Sequence, residues 1–263
     1  MTVRDALADT ERRLAAAGIE TPRVDAEWLV AHVLGVSRSD VHAHDELDGS
    51  ALESLVARRE HREPLAYVLG DWGFRRLTLK TDARALVPRP ETEVLVERAL
   101  ALIRGEPAPS VLDVGVGTGA IALAIADEHP GARVVGVDTS TDALGLAREN
   151  ADRLGLGVEL RAAGLEAAAE GWDLVVANPP YVRPSEWERL QPEIREWEPR
   201  AALVGEGVHE ALARVARTAR LVMEVGDGQA RQVASAFAEV GYGDIRITAD
   251  LAGRERVVEG RKA

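Results

Sequence analysis

From about residue 110 onward, short apolar runs alternate with amphipathic stretches, and this alternation constrains the fold more than any other feature of the chain. Strands fit 111–114, 133–137, 158–161, 174–177, 221–225, 244–248 and 256–259, with helices at 120–128, 142–154, 209–218 and 229–240. Such repetition predicts an α/β protein with a mostly parallel sheet covered by helices on both faces. In sheets of this kind ligands bind outside the carboxyl ends of the strands.

Two of those ends carry residues with a chemistry of their own. The first strand runs into Asp113-Val-Gly-Val-Gly-Thr-Gly119. Gly115, Gly117 and Gly119 let the backbone turn sharply and approach a ligand closely. Asp113 stands just before the loop, and Val116 and Thr118 lie between its glycines. Asp138 ends the next strand, about 20 residues on, where an acid can take ribose hydroxyls. The spacing is Gly-x-Gly-x-Gly and not the Gly-x-Gly-x-x-Gly of dinucleotide sites, so a nucleotide-like ligand other than a dinucleotide is expected. The strand 174–177 runs into Asn178-Pro-Pro-Tyr181. Asn178 can donate and accept at once. Pro179 and Pro180 fix the backbone without adding donors, and Tyr181 offers an aromatic face with a polar tip. That set suits a planar group bearing –NH2, either an amide or an exocyclic amine. A plain rigid turn is the competing reading, and the position at a strand end favours function.

The first sixty or so residues read as short helices. Val3, Ala6, Leu7, Leu14 and Ala17 share one helical face that stops at Gly18. Thr21-Pro22 gives an N-cap with Pro at the first helical position, followed by a stripe of Val24, Trp28, Leu29 and Val33. Ser50-Ala-Leu-Glu53 fits a capping box opening a third helix. Alternation with glycine interruptions over 64–88 predicts a hairpin, and Glu91 and Glu93 open a helix with acids in its first turn. The expected organisation is a helical substrate-recognition domain at 1–62, a β-hairpin linker at 63–90 and a catalytic domain at 91–263.

Composition narrows the function classes. The 263 residues are 46% hydrophobic, enough for a substantial core. Cysteine is absent, which excludes disulfides, thiolate nucleophiles and cysteine-ligated zinc and fits a cytoplasmic location. The N-terminus carries acids and lacks an apolar targeting segment, and no apolar run reaches the ~18 residues of a membrane span. His42-x-His44 lacks an evident third ligand, so no metal site is expected. The net charge of −12, with arginines mixed among acids, argues against a protein that grips duplex DNA.

The loop Asp113–Gly119, Asp138 and Asn178-Pro-Pro-Tyr181 together resemble the class I amino-methyltransferases. The segments Glu63-Pro-Leu-Ala-Tyr67, Leu86-Val-Pro-Arg-Pro-Glu-Thr-Glu93, Glu198-Pro-Arg-Ala-Ala-Leu203 and Asp250-Leu-Ala-Gly-Arg-Glu-Arg-Val-Val258 are similar to those of the release-factor glutamine methyltransferases, the PrmC/HemK family. The resemblance implies a Rossmann-like seven-stranded methyltransferase sheet with a small helical N-terminal domain. It implies S-adenosylmethionine as cofactor, held by Asp113, Gly115, Val116, Gly117, Thr118, Gly119, Asp138, Leu165 and Asn178. The implied reaction is N5-methylation of the glutamine in the Gly-Gly-Gln motif of peptide chain release factors. Asn178, Pro179, Pro180 and Tyr181 would bind the substrate, with Asn178, Pro179 and Tyr181 catalytic. A monomer acting on release factors as protein partners, with no direct nucleic-acid contact, is expected. Two departures stand out: Ala163-Gly164-Leu165 replaces an acidic pair, and Arg217-Thr-Ala-Arg220 lacks a Pro-Gly-Gly turn. A DNA or RNA adenine-N6 methyltransferase would present a similar –NH2 to the same turn, but needs a flipped base and phosphate contacts. A non-catalytic nucleotide-binding protein would need neither Asn178 nor Tyr181.

Overall fold

The apolar runs of the second half assemble into one seven-stranded sheet in the computed structural model, which describes residues 1–262. The chain divides into two compact units, Met1–Asp71 with Gln191–Trp197, and Trp72–Leu190 with Glu198–Ala263. The sequence placed the boundary at 62 and assigned 191–197 to the catalytic domain.

The first unit is helical: α1 Val3–Ala16, α2 Pro22–Leu34, α3 Gly49–Glu60, α4 Leu65–Leu69, and α8 Pro192–Trp197 from the returning segment. Leu7, Leu14, Leu29, Val30, Leu52 and Val56 form its core. Two expectations need correction here. Asp48, not Ser50, caps α3, its carboxylate accepting the Ser50 N–H at 2.9 Å. Glu53, the supposed capping-box partner, pairs instead with Arg13 at 2.6 Å. On α2, Val24 and Trp28 are more than a third exposed, whereas Asp25, Ala26, Leu29 and Val30 are buried. The inward face of α2 therefore contains a charge, which a search for apolar periodicity does not detect. Asp25 accepts from Arg59 Nε at 2.7 Å, and Arg59 also donates to Glu193 at 2.9 Å and to the Glu63 carbonyl at 3.1 Å. Glu193 takes a second guanidinium, that of Arg62, at 2.6 Å. This buried network ties α8 into a unit from which it is remote in sequence.

The second unit begins one residue into β1 Asp71–Phe74, which forms a separate two-stranded sheet with β2 Leu77–Lys80. The hairpin is thus shorter than expected, since 65–69 is helical. There follow α5 Pro90–Ile103, β3 Ser110–Val114, α6 Ala120–Glu128, β4 Arg133–Asp138, α7 Thr141–Leu154, β5 Glu159–Ala162 and β6 Leu174–Ala177. After α8 the chain forms α9 Arg200–Leu203, α10 Val208–Val215, β7 Arg220–Glu224, α11 Ala230–Glu239, β8 Gly243–Ala249 and β9 Glu255–Arg261. The strand order is β5-β4-β3-β6-β7-β9-β8, with β9 antiparallel to both neighbours and the other neighbouring pairs parallel. The order reverses between β3 and β6, where a crevice opens at the carboxyl ends.

Successive side chains leave a strand on opposite faces. Val111, Val134, Leu174, Val176 and Val222 pack with α5, α6 and α7, while Leu112, Val135, Val175, Leu221 and Met223 pack with α10 and α11. The turn before β7 closes without Pro-Gly-Gly: the Thr218 hydroxyl accepts from Arg220 N at 3.2 Å and donates to its carbonyl at 2.9 Å. Among the described residues no helix is long and apolar enough to cross a membrane.

Removing Arg59 would leave the buried Asp25 carboxylate without a counter-charge, with the Thr21 hydroxyl still donating to it at 2.9 Å. Arg59→Ala is expected to lower the unfolding free energy by about 3–5 kcal/mol, measured by chemical denaturation. A loss below about 1 kcal/mol, the range of exposed pairs, would contradict the role given to this network.

Candidate active site

The glycine loop leaves β3 at the reversal point. Gly115, Gly117 and Gly119 all have positive φ, at 81°, 54° and 88°, a backbone region that L side chains rarely enter. Gly115 and Val116 donate to the Val137 carbonyl, both at 2.9 Å, which pins the loop to β4. A Cβ on Gly115 would meet nothing within 4 Å, so this backbone borders open space. A Cβ on Gly119 would fall 2.8 Å from Leu123 Cδ1, so Gly119 serves the close packing of the loop on α6.

A cavity of about 310 Å³ lies over the loop. Gly115, Val116, Gly117, Thr118, Asp138, Leu165, Asn178, Pro179 and Pro180 line it, along with the segment 84–89. Asp138 is oriented at its mouth by Gly117 N–H at 3.0 Å and Ser140 N–H at 2.9 Å. Each carboxylate oxygen keeps a further acceptor direction, which suits vicinal hydroxyls. Near Leu165, Glu166 folds its carboxylate onto Gly164 N–H at 2.8 Å, beside the position where the family pattern has an acid. The residues present fit a nucleoside-bearing ligand such as S-adenosylmethionine: an open glycine backbone, a preoriented acid at the second strand, and an apolar wall.

Three expected site residues do not line this cavity. Gly119 faces α6, as above. Asp113 is fully buried behind the loop, where its Oδ2 accepts the Ala122 N–H at 3.1 Å and its Oδ1 has no partner. Burial pushes its carboxyl up to about 7, opposed by the Ala122 N–H and assisted by the charge of Asp138. Tyr181 lines an adjoining cleft of about 420 Å³ with Arg183, Gly205, His209 and Gln229. Its carbonyl accepts from Gln229 Nε2 at 3.0 Å, and its ring lies so close to Gly226 that a Cβ there would be 3.0 Å from Cδ2. Burial also pushes the Tyr181 hydroxyl up to about 12, keeping it protonated.

The Asn-Pro-Pro-Tyr turn stands between the two cavities, and sequence reasoning missed most of what holds it. Asn178 Nδ2 donates to Thr92 Oγ1 at 3.2 Å, and the Thr92 hydroxyl donates to Glu224 at 2.6 Å. Glu198 is buried and accepts from Val87 N at 3.1 Å and from the Arg89 guanidinium, fixing the 84–89 wall. Burial raises the Glu198 carboxyl, with Arg89 opposing. Fully buried Asn150 joins the hairpin to the glycine loop, accepting Lys80 N at 2.7 Å and donating to the Thr118 carbonyl at 2.9 Å. A polar residue in the middle of an amphipathic helix was the one available signal.

Known proteins resemble this chain over nearly its whole length. The family model described as PrmC N-terminal domain matches residues 5–70, and that described as Methyltransferase small domain matches 91–194. Release factor glutamine methyltransferase of Geobacter sulfurreducens is 40% identical over 278 residues, covering 99% of this chain and 96% of its own length. The protein of the same name from Streptomyces coelicolor is 39% identical, covering 98% and 97%. Among solved structures, the hMettl16 catalytic domain in complex with a 3'UTR hairpin superposes with a TM-score of 0.60 at 14% identity, covering 80% of this chain and 82% of that one. The Thermus thermophilus 16S rRNA methyltransferase RsmC, with AdoMet and guanosine, gives 0.54 at 19% identity, covering 73% and 50%. At those identities the two structures show the fold alone.

The fold and the matching methyltransferase family model define a class I methyltransferase, an enzyme that uses S-adenosylmethionine. With relatives this similar across nearly the whole chain, the protein belongs to the release factor glutamine methyltransferase family.

The Asp113 environment has a consequence for stability. The folded protein holds this proton up to about 7, whereas the unfolded chain releases it near the ordinary aspartate value of 3.8. The stabilising contribution is therefore complete below the unfolded value and is lost as pH rises through about 7. Asp113→Asn should flatten this part of the pH–stability curve by an amount on the order of 4 kcal/mol. Denaturation of both proteins from acid to neutral pH, showing parallel curves, would contradict this environment.

Proposed function

We propose that this chain transfers a methyl group from S-adenosylmethionine to the side-chain amide nitrogen of the glutamine in the Gly-Gly-Gln motif of peptide chain release factors. The observation that carries the reading is the Asn178 amide. One N–H of its amide donates to Thr92, which orients the group so that Oδ1 serves as the acceptor at the cavity that the glycine loop borders.

An amide nitrogen is a poor nucleophile because its lone pair is delocalised into the carbonyl. Asn178 Oδ1 and the Pro179 carbonyl accept the two N–H bonds of the substrate amide. They hold the nitrogen facing the cavity and stabilise the positive charge that develops on it. Pro179 adds no competing donor, since its ring nitrogen carries no hydrogen. The bound cofactor supplies an electrophilic methyl on a sulfonium. Asp138 would hold the cofactor's ribose end and the open backbone at Gly115 would admit it, so that positioning would supply much of the rate. Transfer would form the new C–N bond as the donor's C–S bond breaks, the neutral thioether leaving and the nitrogen losing one proton to solvent. No dedicated base is needed.

Tyr181 closes the substrate side of the turn from the adjoining cleft. The helical unit, whose match to the PrmC N-terminal domain spans residues 5–70, recognises the body of the release factor. Similarity to the 16S rRNA methyltransferase and to the hairpin-bound hMettl16 domain is confined to the fold, and the net charge of −12 gives an adenine-N6 reading no support.

Asn178→Ala keeps the Pro-Pro turn and the glycine loop while removing the acceptor. Single-turnover methylation of a release factor should slow by on the order of 10²–10³, and calorimetry should show a much smaller change in cofactor affinity. A rate near that of the unaltered protein would end this mechanism.

A further inference from the structure

Asn178 can serve an incoming amide only while its oxygen, and not its amino group, faces that amide. A primary amide can turn end over end with almost no change in shape, because O and NH2 are nearly the same size. Packing alone therefore does not choose between the two orientations. Here the choice is made by two buried neighbours on different elements. Thr92, in the first turn of α5, is 4% exposed, and Glu224, at the end of β7, is 1% exposed. The Thr92 hydroxyl has one proton and gives it to Glu224 Oε2 at 2.6 Å. Its oxygen is then available only as an acceptor, and it takes the Asn178 N–H at 3.2 Å.

We propose that Thr92 and Glu224 are positioning residues that fix the polarity of the Asn178 amide, so that its oxygen is always presented to the substrate nitrogen. The proposal rests on the role given to Asn178 above. Neither residue touches the reacting atoms. Glu224 is itself held in place: its carbonyl lies 2.8 Å from His209 Nε2 on α10. Burial keeps His209 below the ordinary imidazole range, so the neutral ring donates this hydrogen bond across neutral pH.

Ionisation of Glu224 matters to the device. An ionised carboxylate can only accept, so Thr92 must donate to it. A protonated Glu224 can donate to Thr92 Oγ1, and the Thr92 proton is then free to point at Asn178, turning the amide over. Burial pushes this carboxyl up to about 7. The Thr92 hydrogen bond, Arg256 of β9 and Arg89 ahead of α5 oppose the shift, and Glu91 of α5 adds to it. The Tyr181 hydroxyl, pushed well above neutrality, stays uncharged beside it. The rate of methyl transfer should therefore decline as pH falls through about 7, because the acceptor-only form of Glu224 is lost.

The test is single-turnover methylation of a purified release factor at saturating S-adenosylmethionine, across pH, with cofactor affinity measured separately by calorimetry. Thr92→Val keeps the shape and removes the hydroxyl. It should slow transfer by about tenfold or more, the loss expected for one preorganised hydrogen bond, with cofactor affinity within about twofold. Thr92→Ser should recover most of the rate. Glu224→Gln, whose amide can donate to Thr92 at any pH, should be slow and should lose the acid limb. Thr92→Val at full rate alongside a slow Asn178→Ala would overturn this inference and leave the reading of Asn178 standing. Asn178→Ala at full rate would overturn both. Should Thr92→Val fail to fold, Glu224→Gln with an unchanged rate and pH profile overturns the inference on its own.

Discussion

The parallel register of β3 on β6, with Val114 opposite Ala177, is the constraint on which the rest of the site depends. The next residue on each strand is Gly115 on one and Asn178 on the other. Because the strand order reverses at this pair, no crossover helix covers the crevice between their ends. A cofactor loop and a substrate turn that are far apart in sequence thus emerge at the same level of one sheet. A slip of one residue in this pairing would turn every side chain of a strand to the opposite face of the sheet.

Around that crevice, buried polar groups set geometry more than they add stability. Asn150 fixes the glycine loop to the hairpin, Glu198 fixes the 84–89 wall, and Thr92 with Glu224 fixes the Asn178 amide. Each is buried and each is hydrogen-bonded to a named partner, which low dielectric makes specific and costly to disturb. Asp113 is the exception, with one oxygen unpartnered and a carboxyl raised to about 7. It supports the loop from behind and does not line the cavity.

The central strands β3, β4, β6 and β7 were legible because strands buried on both faces write themselves as continuous apolar runs. Alternating runs made β5 and β8 legible, and all seven expected strands are present within a residue or two at each end. The glycine loop, Asp138 and the Asn-Pro-Pro-Tyr turn were legible because strand ends are where such sheets bind ligands. What escaped has a common physical cause. The inward face of α2 carries Asp25, which is paired over distance with Arg59 and Glu193, and apolar periodicity reads such a position as outward. The placement of 191–197 with the helical unit, and the links from Asn178 to Thr92 and Glu224, are tertiary polar pairings between residues distant in sequence. The cap at Asp48 was missed because Ser50 also fits the local pattern.

The central claim is that the site is built around an amide nitrogen as nucleophile. Incubation of the protein with isotopically labelled S-adenosylmethionine and a purified release factor, followed by peptide mass mapping, tests it directly. The account predicts one methyl group, located on the side-chain nitrogen of the glutamine in the Gly-Gly-Gln loop. Label on another residue, or no label on the release factor while an adenine-bearing nucleic acid is methylated, would contradict it.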